Sequence, residues 1–314
     1  MAPVERVPYD ELSLFHENAE EYGIPWDGPP TVRRQAVEVG PDRRLSALVW
    51  GDAPPEIVFL HGGAQNAHTW DTVALALDRP LLAVDLPGHG HSDGGQDGAL
   101  DPASNAQDVA ATIRALAPGA AAVVGMSLGG AVAQALALDH PERVTALITQ
   151  NGNAYEEGIG NVFAPMREYW REPSAKNRST LRELLQPESI QSQYTQGVTD
   201  TSLIAPESYA LDAALLARPG NDEIQLDLFL DYRANVALYP RFQEYFRTCR
   251  PPLLAAWGRN DPIFLPAGAE AFKRDIPDAE IRLYETGHFA LETHAAEIGA
   301  AIGAFLDRNI AVTS

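Results

Sequence analysis

Cysteine is nearly missing: Cys249 is the only one in 314 residues. A lone thiol cannot close an internal disulfide. That excludes a disulfide-stapled secreted scaffold and fits a reducing, cytoplasmic setting. Positive charge is also scarce, with 23 Lys and Arg against 43 Asp and Glu, a net charge of −20. Such a balance repels the phosphates of nucleic acid and of anionic membranes, so neither is an expected partner. No apolar run approaches the roughly 18 residues of a membrane span. The start, Met1 to Arg6, lacks the apolar stretch of a signal peptide, so no export is expected, and the sequon Asn177-Arg178-Ser179 then carries little weight. A Walker lysine motif is absent, and Gly88-x-Gly90 has no third glycine at dinucleotide-binding spacing, so no cofactor is expected. His89 and His91 have neither a third ligand nor an H-E-x-x-H motif beside them, so no metal is expected.

What the sequence does contain is alternation. Short apolar runs, Glu56 to Leu60, Pro80 to Asp85, Ala120 to Val124 and Val144 to Gln150, are separated by helix-like stretches such as Trp70 to Leu77 and Pro102 to Leu116. Strands that are apolar throughout belong to a mainly parallel sheet covered on both faces. A hairpin, Thr31 to Val39 and Leu45 to Trp50, precedes them. The alternation stops from Asn153 to Arg250, a stretch rich in aromatics and helix formers. A structureless loop of that length is improbable, which predicts an inserted helical lid. Helices are expected at Met166–Trp170, Leu181–Gln186, Tyr209–Ala217, Leu226–Leu238 and Phe242–Arg247. The alternation resumes with Pro252 to Gly258, Ala267 to Arg274, Glu280 to Tyr284 and a last helix from Glu292 to Asp307. The expected division is an N-terminal extension over 1–30, with an amphipathic segment at Asp10 to Tyr22, a core over 31–152 and 251–314, and the lid over 153–250.

Between the run ending at Val124 and the helix-prone Gly130 to Leu138 stands Gly125-Met126-Ser127-Leu128-Gly129. Strand, G-x-S-x-G, helix is a context that forces a sharp turn and exposes the serine at the positive end of a helix. A serine hydroxyl needs a base to take its proton. Among eight histidines, His288 follows the last predicted strand and so reaches the carboxyl edge, where Ser127 sits; His89 and His91 lie on another carboxyl-edge loop and are its rivals. The base needs an acid partner. Asp261, after the penultimate strand, is the candidate. Asp85 reads as a cap for backbone N–H groups of its Pro-Gly-rich loop. The alternative position after the strand following the serine reads Asn151-Gly152-Asn153 and holds no carboxylate, with Glu156 and Glu157 further out. The Leu128 N–H and an N–H after His61, with Gly63 favoured, are the candidate oxyanion donors. Gly62, Met126, Trp170 and Phe289 are candidate substrate contacts.

Taken together, His61-Gly62-Gly63, Asp85 to Ser92, Gly125 to Gly129, Gly258 to Asp261 and Gly287-His288 resemble the α/β-hydrolase fold family, in that family's order and over residues 57–290. The resemblance implies an eight-stranded sheet with helices on both faces and a lid inserted after the sixth strand. Haloalkane dehalogenases and epoxide hydrolases look similar but use aspartate where this chain has Ser127, which argues against those activities. The expected activity is hydrolysis of an ester, lactone or thioester of an apolar or aromatic small molecule through an acyl-enzyme at Ser127. A carbon–carbon bond hydrolase on a diketone-like compound uses the same triad and stays open, as does a small-molecule receptor that keeps the fold. Lid residues are expected to set substrate range more than the chemical step. The oligomeric state is left open.

Overall fold

The structure is a computed structural model and describes residues 4–6, 32–41, 43–77, 79–94, 102–117 and 119–310. The amphipathic segment expected at Asp10 to Tyr22 lies outside these residues. Nine strands form one sheet: β1 (Val4–Arg6), β2 (Val32–Gly40), β3 (Arg43–Trp50), β4 (Ile57–Leu60), β5 (Leu81–Val84), β6 (Ala121–Met126), β7 (Val144–Gln150), β8 (Leu253–Gly258) and β9 (Glu280–Tyr284). Their order is β1-β2-β3-β5-β4-β6-β7-β8-β9. Strands β2 to β9 are the expected eight, and β1 adds a three-residue antiparallel edge. Pairing is antiparallel from β1 to β5 through β3, and parallel from β5 across β4, β6, β7 and β8 to β9.

Helices among the described residues cover both faces. They are α1 (Asp71–Leu77), α2 (Pro102–Leu116), α3 (Leu128–Asp139), α4 (Ala164–Arg171), α5 (Ala175–Arg182), α6 (Pro187–Thr195), α7 (Pro206–Leu216), α8 (Asn221–Cys249), α9 (Pro266–Asp275) and α10 (Leu291–Asn309). None is long and apolar enough to cross a membrane among the described residues. The period-two alternation of the central strands sorts the core into two layers. Ala121 and Val123 of β6 join Val109, Ile113 and Leu136 on the α2–α3 side. Ala122, Val124 and Met126 point the other way, among Trp70, just before α1, Val73 of α1 and Ile298 and Ile302 of α10.

The segment between β7 and β8 is helical and divides between the layers. Ile190, Tyr194 and Leu216, from α6 and α7, pack with the α1–α10 layer. Tyr232, Tyr239, Phe242 and Phe246 of α8 pack with the other. Here the structure corrects one expectation. Leu226–Leu238 and Phe242–Arg247 are expected as two helices, yet α8 runs unbroken from Asn221 to Cys249 through Pro240. An interior proline costs a hydrogen bond and a clash, about 3 kcal/mol. The burial of Tyr239, Phe242 and Phe246 on both sides of Pro240 offsets that cost. Leu181–Gln186 is also not one helix: α5 ends at Arg182, a single 3₁₀ turn follows, and Pro187 opens α6.

Strand order fixes where a ligand can approach. From β4 the chain crosses to β5 on one side, then returns past β4 to β6 and continues away through β7, β8 and β9. The carboxyl ends of β4 and β6 therefore flank the switch in direction, the place where open α/β sheets bind ligands.

Candidate active site

Ser127 stands at this switch, between β6 and α3, with φ 48° and ψ −110°. A non-glycine residue pays for such a conformation, and strain of this kind gathers at functional positions. The flanking glycines allow it. A Cβ on Gly125 would lie 2.3 Å from the Gly129 carbonyl oxygen, and one on Gly129 would lie 2.2 Å from that of Leu60. The turn is thus pressed against both its own helix and β4. The Ser127 N–H donates to the Gln150 carbonyl at 3.0 Å, and the Ser127 carbonyl accepts from Gly130 and Ala131 as α3 begins.

Asp261 and His288 follow β8 and β9. His288 Nδ1 bonds Asp261 Oδ2 at 2.8 Å, and both side chains are buried. With Nδ1–H given to the carboxylate, Nε2 is left as an acceptor, the tautomer a general base requires. Every other acceptor position of Asp261 is filled. Oδ1 takes the N–H groups of Ile263 at 2.8 Å and Phe264 at 3.2 Å, and Oδ2 also takes the Asn151 amide. Two strands, β7 and β8, separate Ser127's β6 from β9, yet the loop carrying His288 leans back over the sheet: Gln150 Nε2, at the end of β7, donates to the His288 carbonyl at 3.1 Å. Gln150 therefore binds the serine's backbone with its own carbonyl and the histidine's backbone with its side chain.

Sequence reasoning passed over Asn151 because it carries no carboxylate. In the structure it has φ 48°, its Oδ1 accepts the Gly258 N–H at 3.1 Å, and its amide nitrogen faces Asp261. The only local signal was a polar Asn-Gly-Asn run directly after a buried strand.

The candidate oxyanion donors come from two places, the start of α3 and the loop after β4. Leu128 is the first residue of α3, so its N–H has no intrahelical acceptor. The Gly62 N–H is taken, donating to Gln65 Oε1 at 3.0 Å. Gly63 faces open space, since nothing stands within 4 Å of where its Cβ would be. His61 braces this loop. Its Nε2 accepts the Leu86 N–H at 2.9 Å, and its Nδ1 donates to the Gly62 carbonyl at 2.7 Å. Burial holds its pKa below the usual value, which suits a neutral brace.

The rival residues fall elsewhere. His89 donates from Nδ1 to the Pro87 carbonyl at 3.0 Å and meets Gln225 of α8 through Nε2 at 3.2 Å; burial pushes its pKa down to about 3. His91 sits on the same loop with its ring about half exposed. Asp85 caps the Ala67 and His91 N–H groups at 2.8 and 3.0 Å, as expected, and pairs with Arg34 at 3.5 Å. Among the described residues no His, Cys, Asp and Glu cluster is arranged to hold a metal ion.

Of the candidate substrate contacts, Met126 is corrected: it follows Val124 by two residues and is fully buried in the α1–α10 layer, where it offers no surface to a ligand. Phe289 is also mostly buried, with its ring edge-on to His288 at 5.2 Å and stacked on Tyr194 at 4.1 Å. Trp170 is partly exposed. It belongs to an aromatic group with Phe163, Tyr232 and Phe264, and Phe264 reaches the His288 ring at 5.8 Å. The histidine thus stands between two aromatic walls.

Comparison with known proteins agrees with this architecture. The family model for the alpha/beta hydrolase fold matches residues 55–295. An uncharacterised hydrolase of Saccharomyces cerevisiae is 37% identical over 254 residues, 79% of this chain and 88% of that protein. An esterase of Mycobacterium tuberculosis is 52% identical over 140 residues, 44% of this chain and 45% of its own. A solved structure of that esterase superposes with a TM-score of 0.63 at 29% identity, covering 95% of this chain and 99% of that one. A 2-hydroxy-6-oxononadienedioate/2-hydroxy-6-oxononatrienedioate hydrolase of Burkholderia vietnamiensis is 27% identical over 288 residues, 87% of this chain and 94% of its own. With the sheet order, the strained turn at Ser127 and a match spanning most of its length, this chain belongs to the alpha/beta hydrolase fold family and is a hydrolase of that superfamily.

Proposed function

We propose that the chain is a serine hydrolase that cleaves an ester, lactone or thioester of an apolar or aromatic small molecule. The observation that carries this reading is the buried Asp261–His288 hydrogen bond at 2.8 Å, with Nε2 left as acceptor, at the sheet edge that also carries Ser127. His288 Nε2 takes the Ser127 proton as Oγ attacks the acyl carbon. Asp261 holds the tautomer and stabilises the imidazolium. The Gly63 and Leu128 N–H groups receive the negative charge that grows on the carbonyl oxygen. The leaving alcohol or thiol then takes the proton from Nε2, and water, activated by the same nitrogen, releases the acid. Aromatic walls on both sides of His288 favour an apolar or aromatic group next to the scissile bond. Similarity to the Mycobacterium esterase supports ester chemistry. The helical segment over 153–250 acts as a lid on this edge. The single cysteine and the charge of −20 fit a cytoplasmic protein.

A second reading, carbon–carbon bond hydrolysis, is favoured by the similarity along 87% of the chain to the Burkholderia hydrolase. A panel of p-nitrophenyl esters of increasing acyl length, lactones and a 2-hydroxy-6-oxo-dienoate, run on wild type and Ser127→Ala, separates the two. Ester turnover with fluorophosphonate labelling at Ser127, both lost in Ser127→Ala, is the expected result. Activity of the folded variant within about tenfold of wild type would overturn it, because removing a triad member costs several orders of magnitude.

A further inference from the structure

The loop that carries Gly62 and Gly63 is held by the helical segment as well as by its own strand. Gln65 Oε1 accepts the Gly62 N–H at 3.0 Å, and its Nε2 faces the Tyr194 hydroxyl of α6 at 3.5 Å. That hydroxyl donates to Asp212 Oδ2 of α7 at 2.5 Å. Asp212 Oδ1 in turn accepts the Asn66 amide at 3.0 Å, which returns the chain of contacts to the residue beside Gln65. The circuit runs from the loop to α6, to α7 and back. Gln65, Asn66, Tyr194 and Asp212 are all buried, at 2–4% exposure. Unpaired polar groups at such depth are costly, so each member is held to its partner.

The circuit acts on one peptide N–H. Two successive amides after His61 could face a substrate, and Gln65 takes the first. For its side chain to fold back, the chain reverses at Ala64, a non-glycine residue at φ 65°. The next residue, Gly63, has open space where a Cβ would stand, and its N–H makes no backbone hydrogen bond among the described residues. Tyr194 also stacks on Phe289, at 4.1 Å and 4° between planes, one residue past His288. One side chain of the helical segment therefore touches both the oxyanion loop and the loop of the base.

We propose that Gln65, Tyr194 and Asp212 are positioning residues for the oxyanion hole, which aim the Gly63 N–H only while α6 and α7 are seated on the core. This rests on the reading above, in which Gly63 donates to the oxyanion. A donor that is present but misdirected weakens the transition state more than the ground state. The signature is a fall in kcat without a matching rise in KM.

The test uses the full chain, the p-nitrophenyl ester it hydrolyses fastest, and an alkyl trifluoromethyl ketone, whose adduct with a serine carries an oxyanion. Gln65→Leu keeps the volume and removes the acceptor for Gly62. Loss of one oxyanion donor costs about 10²–10³ in kcat, and misaiming one is expected to cost about 10- to 100-fold. KM should stay within about threefold, and ketone affinity should fall in proportion to kcat/KM. Tyr194→Phe keeps the stack on Phe289, removes only the hydroxyl, and should show the same pattern at about tenfold. It carries the test if Gln65→Leu does not fold. Unchanged kcat and ketone affinity with a lowered Tm, or a loss confined to KM, would mean that these residues serve packing alone and would overturn the proposal. Ser127→Ala, run in parallel, keeps the two ideas apart: if it stays active, the serine reading itself has failed.

Discussion

Replacing Asp261 by Asn tests the site where its geometry is most constrained. Four donors point at this carboxylate: the N–H groups of Ile263 and Phe264 on Oδ1, and His288 Nδ1 with the Asn151 amide on Oδ2. A carboxylate accepts all four, whereas an amide has one oxygen and two N–H donors. If the amide oxygen keeps the two backbone donors, its NH₂ faces His288 and Asn151, which are both donors in the native arrangement. His288 then relieves the conflict by carrying its proton on Nε2, and it can no longer take the Ser127 proton. The expected loss in kcat is roughly 10³–10⁴, with KM little changed. The unsatisfied contacts should cost about 1–3 kcal/mol in stability, which a domain of this size can bear. The assay is steady-state ester hydrolysis on protein shown to be folded by circular dichroism, with fluorophosphonate labelling rate as a second readout, since labelling also needs the base. A folded Asp261→Asn with kcat within tenfold of wild type would refute the assignment of the acid. Were Glu156→Gln then to abolish turnover, the acid would lie after β7 instead.

Two further predictions concern carboxylates away from the chemistry. Asp85→Asn should lower stability by about 1–3 kcal/mol, because Asp85 caps Ala67 and His91 and pairs with Arg34, while kcat stays within about tenfold; a kcat loss like that of Asp261→Asn would give Asp85 a direct role. Burial, with Glu292 nearby, pushes the pKa of Asp212 up to about 8, opposed by its bonds to Tyr194 and Asn66. The unfolded value is about 3.9, so between those limits the folded chain holds a proton that the unfolded chain has released, and stability falls as pH rises through that window. Glu292, pushed up to about 7 by burial, adds a parallel fall. Asp212→Asn should flatten the decline of unfolding free energy between pH 5 and 9, by at most about 4 kcal/mol, and an unchanged slope of stability against pH would contradict it.

The parts of the site that follow from local rules were legible in the sequence. Ser127 sits in a strand–turn–helix pentapeptide whose pattern is itself the signal, although only the contact that requires Gly125 is local and the one that requires Gly129 comes from β4. Asp261 and His288 were placed by following strand ends, and Asp85's capping role by its loop composition. What escaped notice depends on neighbours distant in the chain. Asn151 meets Asp261 only because β7 pairs with β8. Gln65 meets Tyr194 across 129 positions, and no spacing in the sequence announces that contact. Met126 was misassigned although the information was present: alternation along β6 sends it with Ala122 and Val124 away from the Val123 side. The break expected between Leu238 and Phe242 is absent because burial of Tyr239, Phe242 and Phe246 overrides the local propensity of Pro240.

A division between a core that does the chemistry and an insertion that sets substrate range does not match the contacts. The helical segment touches the loops that carry Asp261, His288 and Gly63, and the loop after β5 as well. Gln225 of α8 meets His89 on the loop after β5. The Gly160 N–H donates to the Ile263 carbonyl at 3.0 Å, and the Asn260 amide donates to the Gly197 carbonyl at 3.1 Å; both flank Asp261. A Cβ on Gly287, next to His288, would lie 2.0 Å from the Gln196 carbonyl oxygen, so this loop is pressed directly on the insertion. Tyr194 covers Phe289 and reaches toward Gln65. Moving the insertion aside to admit a substrate would therefore loosen the acid, base and oxyanion loops together, and reseating it would restore them. On the proposed serine-hydrolase reading, the catalytic geometry would then be complete only with the insertion seated, which would tie the chemical step to exclusion of water.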